Sequence, residues 1–337
     1  MKTNVSVIIP VFNADQYINQ AVESSLCQPE TGEVILIEDG SSDNSLEICQ
    51  GFASINEKVV LLRHKDGVNR GAAASRNLGM KNARCDFIAF LDADDFFLPG
   101  RFKSTNEIFK SFPDCEGVYE SVGTYYTDKR SEESWRRSNE TAKELTSLKE
   151  SVDPDDLFKT LLKRGPAHIQ INGLTLKRSA LEKSGYMDEN LKSAGEDVDF
   201  ILRLADSCSL RAGNLIEPVA MRRVHDGNSF WRRGTEVDIY KSALKMYKST
   251  FSWLTHHSDA SNAELLLGKL RNRSMNSRHF KNDIFRFFPL EIKQRMRLLC
   301  LLVEFPHVAC SHLYWRKFLP IRFQNAHKYT DAEERVL

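Results

Sequence analysis

The N-terminal third of the chain contains four short apolar runs, and this repeated pattern limits the possible folds more than any other feature. The runs lie at residues 5–10, 34–37, 59–63 and 87–91. Continuous apolar runs of this length are typical of strands that are buried on both faces of a parallel sheet. Stretches with helical spacing separate them, at residues 16–26, 45–52 and 71–81. This alternation predicts right-handed crossovers and an α/β fold with a doubly wound, mostly parallel central sheet and flanking helices.

Polar loops follow three of the predicted strands. They are Pro10-Val11-Phe12-Asn13, Glu38-Asp39-Gly40-Ser41-Ser42-Asp43 and Asp92-Ala93-Asp94. In doubly wound sheets, ligands bind at the carboxyl ends of the strands. We therefore expect all three loops to open on one edge of the sheet and to form the binding site there.

The third loop is acidic, because an apolar strand runs directly into Asp92, Asp94 and Asp95. Carboxylates at a strand end repel one another and lose hydration, so they favour a cation or water beside them. Mg²⁺ and Mn²⁺ prefer carboxylate oxygens and often share their coordination with substrate phosphates. If the strand geometry continues, Asp92 and Asp94 point the same way and Asp95 points elsewhere. The alternative is that these residues are ordinary turn or helix-capping acids.

Composition narrows the functional classes. The chain has 337 residues and a formal net charge of +1, which argues against a general nucleic-acid-binding protein. Its seven cysteines form no CxxC pair or His/Cys cluster, so neither a disulfide framework nor a structural zinc site is indicated. No run reaches the roughly 18 apolar residues of a membrane-spanning helix, and no apolar signal region precedes the first strand. We expect a cytoplasmic protein, soluble or peripheral on the cytoplasmic face of the membrane.

Further sequence blocks accompany the three loops in a definite order. They are Val7-Ile8-Ile9-Pro10-Val11-Phe12-Asn13, then Glu38-Asp39-Gly40-Ser41-Ser42-Asp43, Asn69-Arg70-Gly71 with Ala74-Ser75-Arg76-Asn77-Leu78-Gly79, Leu91-Asp92-Ala93-Asp94-Asp95, Gly185-Tyr186-Met187-Asp188-Glu189, Gly195-Glu196-Asp197-Val198-Asp199-Phe200 and Arg223-Val224-His225. Over about residues 5–230 this order resembles the inverting, DxD-containing family-2 glycosyltransferases of the GT-A fold. Each block alone is a weak signal, and the ordered set is specific.

The resemblance implies a binding site for a nucleotide diphosphate sugar. Asp39 matches the position that holds the edge of uracil or another base, where a carboxylate accepts a hydrogen bond from a ring N–H. Pro10 and Phe12 match the loop beside the base, and Arg76 matches an arginine that approaches the nucleotide. Asp92 would meet the ribose and metal-bound water. The complete donor-binding set that the resemblance implies is Pro10, Phe12, Asn13, Asp39, Arg76, Asp92, Ala93 and Glu196.

The resemblance also implies the chemistry. Asp94 would bind a divalent metal, Mn²⁺ or Mg²⁺, to neutralise the charge on the departing diphosphate. Asp197 would be the base that takes the proton of the acceptor hydroxyl. Glu196 and Asp197 begin a predicted helix, where acids are also ordinary partners of the helix dipole. His225 would add a contact to the metal or the diphosphate, or else be a hydrogen-bonded structural histidine.

We expect two regions in the chain. Residues 1–230 would form the GT-A domain, with a nucleotide-sugar-binding half at about 1–115 and an acceptor half at about 116–230. Residues 231–337 would form a basic, aromatic-rich helical extension. From 268 to 328 there are thirteen Lys or Arg against three Asp or Glu, interleaved with nine large aromatic residues. This pattern suits an anionic membrane surface or a lipid-linked acceptor, or a helical subdomain with a solvated basic face.

Two further stretches carry expectations that bear on the site. Residues 127–150 have no clear apolar period, and we expect either a surface excursion or a helix-poor insert there, over the acceptor cleft. Arg222 and Arg223, together with Arg232 and Arg233, would form either a lid over the diphosphate or a solvated basic face. No RNA-binding motif is found, so no nucleic-acid partner is expected.

The resemblance implies a metal-dependent inverting glycosyltransferase, and inversion follows from the resemblance alone. It would move a sugar from a nucleotide diphosphate sugar, with a UDP-sugar favoured, to a glycan or glycolipid acceptor in cell-surface polysaccharide biosynthesis, such as that of lipopolysaccharide. The alternative is a non-catalytic relative that binds carbohydrate or assists assembly, although the presence of Asp39, Asp92, Asp94 and Asp197 favours the enzyme. A nucleotidyltransferase would need a glycine-rich phosphate loop after the first strand, and the chain has none there.

Overall fold

The computed structural model of the chain describes residues 3–138, 145–165, 168–191, 195–228, 236–257, 261–266 and 269. The chain divides into two compact units, Met1–Trp253 and Leu254–Leu337. Of the second unit, residues 254–257, 261–266 and 269 are described and are helical. The basic segment 268–328 lies outside the described residues apart from residue 269, and so do Arg232 and Arg233. Within the described ranges, no helix is both long and apolar enough to cross a membrane.

Eleven strands and nine helices make up the described part of the chain. The strands are β1 (Val5–Val11), β2 (Thr31–Glu38), β3 (Val59–Arg63), β4 (Phe87–Phe90), β5 (Phe96–Phe97), β6 (Gly117–Tyr119), β7 (Val122–Tyr126), β8 (Leu145–Thr146), β9 (Leu174–Lys177), β10 (Leu210–Ala212) and β11 (Ala220–Val224). The helices are α1 (Ile18–Leu26), α2 (Ser45–Ile55), α3 (Ala72–Asn82), α4 (Lys103–Ser111), α5 (Lys129–Ser138), α6 (Pro154–Arg164), α7 (Ala180–Ser184), α8 (Glu196–Ser207) and α9 (Glu236–His257). Two 3-10 turns lie at Ile171–Gly173 and Glu189–Leu191.

The central sheet has seven strands in the order β10-β6-β9-β4-β1-β2-β3. The four predicted strands are confirmed as β1 to β4, and they pair in parallel with β1 in the middle. Because β2 and β3 lie on one side of β1 and β4 on the other, the strand order reverses at β1. Such a reversal opens a crevice at the carboxyl ends of the strands. The antiparallel strand β9 lies between β4 and β6, and it brings the turn Ile171–Gly173 to that crevice.

The first strand is buried on both faces, as its apolar sequence predicts. Val7, Ile8 and Ile9 are fully buried, which contributes roughly 1.5–3 kcal/mol for each side chain. Helix α3 packs directly on this strand because Gly79 faces it. A Cβ at Gly79 would lie 2.5 Å from Ile8 Cγ2, so any larger residue would push the helix away. This close packing determines where α3 holds Arg76 at the edge of the sheet.

A second sheet of four strands, in the order β5-β11-β7-β8, lies beside the acidic loop. Helix α5 follows β7, so the prediction of a helix-poor insert over residues 127–150 was wrong. The helix forms because Asp128 Oδ1 accepts a hydrogen bond from Ser131 N at 2.7 Å and because Trp135 is buried against Arg222. A single buried face on a highly charged helix leaves little apolar periodicity in the sequence.

Candidate active site

The three predicted loops lie at one edge of the central sheet. Strands β1, β2 and β4 are parallel neighbours, and their carboxyl ends pair in register through Val11 with Glu38 and through Ile8 with Phe90. Asn13 joins the first two loops, because its Oδ1 accepts a hydrogen bond from Ser42 N at 2.8 Å. Its positive φ of 50° is a conformation that Asn tolerates better than most residues. Pro10 is half-buried, and the Phe12 ring is 48% exposed and open to a ligand.

Asp39 is buried and already holds a neighbouring loop. Its Oδ1 accepts a hydrogen bond from Arg70 N at 2.8 Å and its Oδ2 accepts one from Gly71 N at 2.9 Å. The His64 ring lies close by, with Nε2 at 3.5 Å from Asp39 Oδ1 and 3.2 Å from Ser75 Oγ. A carboxylate has about four lone-pair positions, so two backbone donors leave it able to accept more.

The three acids of the loop after β4 point to three different partners. Asp92 accepts a hydrogen bond from Arg76, Asp94 faces His225, and Asp95 is buried beneath the loop. Strand β4 ends at Phe90, and Asp95 N donates to the main-chain oxygen of Asp92 at 3.0 Å, so the three acids lie in a turn and not on a continued strand. Ala93, between Asp92 and Asp94, is also buried. Burial raises the pKa of Asp92, and the nearby Asp94 charge raises it further, against the effect of Arg76.

Arg76 lies between the acidic loop and the start of α8. Its Nη2 donates to Asp92 Oδ1 at 2.6 Å, and its Nη1 lies 3.5 Å from Glu196 Oε1. Burial alone would lower the pKa of Arg76, but the charges of Asp92, Glu196 and Asp197 outweigh it and raise the pKa. The residue is 5% exposed, and within the described part of the chain its Nε and Nη1 have no hydrogen-bond partner. Donors in such a position suit the oxygens of a substrate.

Glu196 and Asp197 occupy the first turn of α8, as predicted. Gly195 precedes them with φ of 91° and ψ of 34°, a left-handed conformation that favours glycine. Glu196 is buried, and this burial raises its pKa, against the effect of Arg76. Asp197 is half-buried, and its Oδ1 accepts a hydrogen bond from Val198 N at 2.8 Å. Among the described residues, none donates to the second oxygen of Asp197, and its charge acts on Arg76.

Helix α9 supports the start of α8. Thr250 Oγ1 donates to Asp199 Oδ1 at 2.8 Å, and both residues are fully buried. Ser249 Oγ donates to Asp188 Oδ2 at 2.9 Å, in the loop before α8. A Cβ at Gly195 would lie 3.3 Å from Met246 Cγ, which shows how closely α9 approaches the turn that carries Glu196 and Asp197.

Asp94 and His225 face each other at the end of β11. His225 Nε2 lies 3.2 Å from Asp94 Oδ2, which also accepts a hydrogen bond from Asn228 Nδ2 at 3.0 Å. His225 Nδ1 accepts a hydrogen bond from Gly227 N at 3.2 Å. A neutral ring that accepts at Nδ1 carries its proton on Nε2, so in this arrangement His225 donates to Asp94.

We call Asp94 and His225 the metal corner. Asp94 suits a divalent cation, whereas His225 suits one only after a change of tautomer. Among the described residues, no group of three or more His, Cys, Asp and Glu is placed to hold a metal by protein ligands alone. Mg²⁺ sites that use substrate phosphates need only one or two carboxylates from the protein. Asp94 meets that requirement. His225 fits as a ligand only in the tautomer with its proton on Nδ1, which would give up the hydrogen bond from Gly227.

Arg223 is neither a lid nor part of a solvated basic face, so both predictions for it were wrong. It is 7% exposed, and its guanidinium lies 4.8 Å from the Tyr17 ring and 5.3 Å from the rings of Phe96 and Tyr125. Its Nε donates to the main-chain oxygen of Asp94 at 2.8 Å. Burial follows because three aromatic faces and this hydrogen bond replace water around the charge.

Sequence reasoning missed Asn172 and gave no role to Asn77. Asn172 is fully buried and bonds to both Asp92 N and Asp95 Oδ2. Asn77 Nδ2 donates to Met187 O and Glu189 Oε1, each at 2.9 Å, and so ties α3 to the loop before α8. A signal for Asn172 was present, because it is one of few polar residues inside the apolar stretch 169–176.

Comparison with known proteins places the chain among sugar-transferring proteins. The model of the family described as glycosyl transferase family 2 matches residues 6–183. The minor teichoic acid biosynthesis protein GgaA of Bacillus subtilis (strain 168) is 29% identical over 261 residues, which cover 74% of this chain and 51% of GgaA. An uncharacterized glycosyltransferase of Rickettsia felis is 28% identical over 287 residues, which cover 85% of this chain and 44% of that protein. The chain thus spans about half the length of these curated relatives.

Among solved structures, S. aureus TarS 1-349 in complex with UDP-GlcNAc has a TM-score of 0.61 to this chain. The sequences are 18% identical, and the match covers 88% of this chain and 80% of that one. At this identity the likeness establishes a shared fold.

Proposed function

The chain belongs to glycosyl transferase family 2 and has the GT-A fold, and from this premise we propose that it is a metal-dependent, inverting enzyme that uses a uridine diphosphate sugar. The acceptor would be a glycan or a lipid-linked glycan in the synthesis of a cell-surface polymer. The name of the relative GgaA, which refers to teichoic acid biosynthesis, supports a polymer of this kind.

The observation that carries the proposal is the single cluster formed by Arg76, Asp92, Glu196 and Asp197. These residues come from three separate elements, and two of the acids lie within 3.5 Å of the Arg76 guanidinium. The buried guanidinium of Arg76 lies among several carboxylates, so the cluster carries excess negative charge. The same guanidinium also has N–H donors that no described residue uses. A sugar with several hydroxyl groups can donate to the acids and accept from Arg76 at the same time.

Asp39 supports a base with the hydrogen-bonding edge of uracil, which uridine and thymidine share. Two backbone N–H groups already occupy one lone pair on each oxygen of its carboxylate. The remaining capacity suits the single ring N–H that uracil presents between two carbonyl groups. Guanine presents two adjacent donors, which need both oxygens of a carboxylate free in one direction. The exposed Phe12 ring would stack on the base.

Asp197 would act as the general base, because it keeps one free carboxylate oxygen at the edge of the cluster. It would take the proton of the acceptor hydroxyl as that oxygen forms a bond to the anomeric carbon. The bond from the anomeric carbon to the diphosphate oxygen breaks at the same time, and its electron pair leaves with the diphosphate. Attack from the face opposite the leaving group inverts the anomeric configuration.

A divalent cation would be held by Asp94, with His225 as a second ligand in its other tautomer. When bound, it would supply positive charge for the diphosphate oxygens. Asp92 and Arg76 would hold the ribose and the donor sugar beside this corner. Asn13 and Pro10 would shape the base pocket, and Ala93 would keep the acidic loop narrow.

Nucleotide binding tests the proposal. The purified chain would be titrated calorimetrically with UDP, GDP, CDP and dTDP, each with Mn²⁺ and with EDTA. We expect UDP to bind in Mn²⁺ and to bind at least tenfold more weakly in EDTA, with GDP and CDP much weaker. UDP-GlcNAc is the first donor to assay, because TarS binds it. Metal-independent binding, or preference for a purine, would contradict the proposal.

The segment 268–328 would bring the enzyme to the cytoplasmic membrane face, where lipid-linked acceptors reside. Its excess of Lys and Arg and its aromatic residues are typical of interfacial binding. Co-sedimentation with phosphatidylglycerol vesicles, compared with phosphatidylcholine vesicles, tests this part of the proposal. Equal binding to both, or none, would contradict it.

A further inference from the structure

Asp95 and Asn172 form a buried polar pair beneath the acidic loop. Asn172 is fully buried and Asp95 is 2% exposed. Asn172 Nδ2 donates to Asp95 Oδ2 at 2.5 Å, while Asn172 Oδ1 accepts a hydrogen bond from Asp92 N at 3.1 Å. One amide thus uses its donor end and its acceptor end on two residues of the same loop.

Asp95 extends this arrangement to β11. Its Oδ1 accepts a hydrogen bond from Arg223 N at 2.7 Å. The side chain of Arg223 returns to the same loop, because its Nε donates to the main-chain oxygen of Asp94 at 2.8 Å. The loop is therefore fixed at Asp92, Asp94 and Asp95, from two elements that are distant in the sequence. His225 follows Arg223 by two residues. The hydrogen bond between Asp95 and Arg223 therefore also links the acidic loop, which carries Asp94, to the segment that carries His225.

The polarity of these bonds permits only one arrangement. The carboxylate of Asp95 accepts two N–H donors, and the amide of Asn172 must present its nitrogen to Asp95 and its oxygen to Asp92 N. A buried carboxylate that lacked one of these donors would be strongly destabilised. Simple apolar packing would fill the same space without determining the direction of the loop.

We propose that Asp95 and Asn172 are a positioning pair that sets the direction of Asp92 and Asp94 toward metal and nucleotide. Neither residue touches the substrate in this role. The inference rests on the proposed function, because it takes Asp92 and Asp94 as the residues that meet the donor. Residues that orient metal ligands typically change metal affinity or activity by about 10–100-fold when they are replaced.

An exchange of the two side chains tests the pair. Asn172→Asp alone places a carboxylate against the carboxylate of Asp95, and Asp95→Asn alone turns an amide N–H₂ toward one of two N–H donors. The double variant Asp95→Asn with Asn172→Asp restores every bond. The new amide at position 95 donates to the new carboxylate at position 172 and accepts from Arg223 N, and the net charge is unchanged.

The measurements are calorimetric UDP affinity in Mn²⁺ and in EDTA, the Mn²⁺ concentration for half-maximal turnover, and thermal unfolding. We expect each single variant to need at least about tenfold more Mn²⁺ and to bind UDP correspondingly more weakly in Mn²⁺. UDP affinity in EDTA should fall by a smaller factor than in Mn²⁺, because only the contact of Asp92 with the ribose would then be affected. The double variant should return to within about threefold of the natural protein. If Asn172→Asp does not fold, Asn172→Ser, which removes the amide without adding charge, takes its place.

The outcomes separate this inference from the proposed function. If the natural protein binds no nucleotide in a metal-dependent way, the proposed function is overturned, and the positioning role with it. If the natural protein binds UDP in a metal-dependent way and the folded single variants bind it equally well, the positioning pair alone is overturned. A folded double variant that is no better than the single variants would also overturn it, because the exchange restores the same hydrogen bonds.

Discussion

Arg76 Nη2 lies 2.6 Å from Asp92 Oδ1, so a buried guanidinium on α3 is bonded directly to the acidic loop that follows β4. The opposite side of the same guanidinium lies against Glu196 at the start of α8. Arg76 therefore connects the acidic loop after β4 with the start of α8 through one planar group. A point charge on a flexible stem cannot reproduce this geometry.

We expect Arg76→Lys to lower turnover about 100-fold, because the ammonium group can meet one carboxylate but not both. UDP-sugar turnover and thermal unfolding would be measured together. Arg84→Lys is the matched control, because Arg84 forms a similar ion pair with Glu33 away from the site. Arg84→Lys should keep normal turnover. A fully active Arg76→Lys enzyme would contradict the role of Arg76 as a bridge.

Asp94→Ala should abolish the effect of metal on nucleotide binding. The Kd of UDP in Mn²⁺ would become equal to that in EDTA, because the carboxylate that fits the cation is gone. Asp114→Ala is the control, since Asp114 is an exposed acid paired with Arg211. That variant should keep the metal response. Persistent metal-dependent binding in Asp94→Ala would place the cation elsewhere.

Asp197→Asn should lower transfer by about 10²–10⁴-fold, the range typical of a lost general base. UDP affinity should stay nearly unchanged, because Asp197 would act on the acceptor. Asp206→Asn, near the other end of α8, is the control for the effect of removing one carboxylate from this helix, and it should keep normal transfer. Asp197→Asn with normal turnover would show that another residue takes the proton.

Much of the edge of the sheet was predictable from sequence because its determinants are local. Each strand from β1 to β4 is a contiguous apolar run, and the loop residues Asp39 and Asp92 follow directly in the chain. The acids at the start of α8 were predictable for the same reason, since Val198 and Ile201 show helical spacing immediately after them. Local signals thus placed the residues at the correct ends of their elements.

The supporting interactions could not be predicted in the same way. Asn172 meets Asp95 across 77 positions, and Arg223 meets it across 128. Such pairs depend on how β9 and β11 are placed in the two sheets, which no local pattern specifies. Arg223 lies next to Arg222 in a basic stretch, yet only the tertiary fold surrounds it with three aromatic rings.

Thr250→Val should reduce kcat by several-fold and leave the KM for the donor unchanged. The valine has the same shape but cannot donate to Asp199, whose buried carboxylate would lose a partner at a cost of about 1–3 kcal/mol in stability. The turn that carries Asp197 would then be less well held. Thr250→Ser keeps the hydroxyl and should restore kcat. Equal changes in kcat and KM, or no rescue by serine, would contradict a positioning role for α9.

The pH dependence of stability should report on Glu33, near the amino ends of β1 and β2. Burial would raise the pKa of Glu33, but hydrogen bonds from Ser6 and Arg84 and the Arg84 charge outweigh it and lower the pKa. A carboxylate with a lowered pKa in the folded state stabilises the fold above its unfolded pKa of about 4.3. That contribution is lost as the pH falls through the lowered folded value.

Glu33→Gln should therefore be less stable than the natural protein by about 1–3 kcal/mol at pH 7. The difference should shrink as the pH falls from 5 to 3, because only the natural protein loses a charged contact there. Urea unfolding at several pH values measures this difference directly. Transfer activity should be unchanged at pH 7, since Ser6, Glu33 and Arg84 form their contacts at the other end of the strands. A stability difference that stays constant with pH would show that the ionised carboxylate is not what stabilises this end of the sheet.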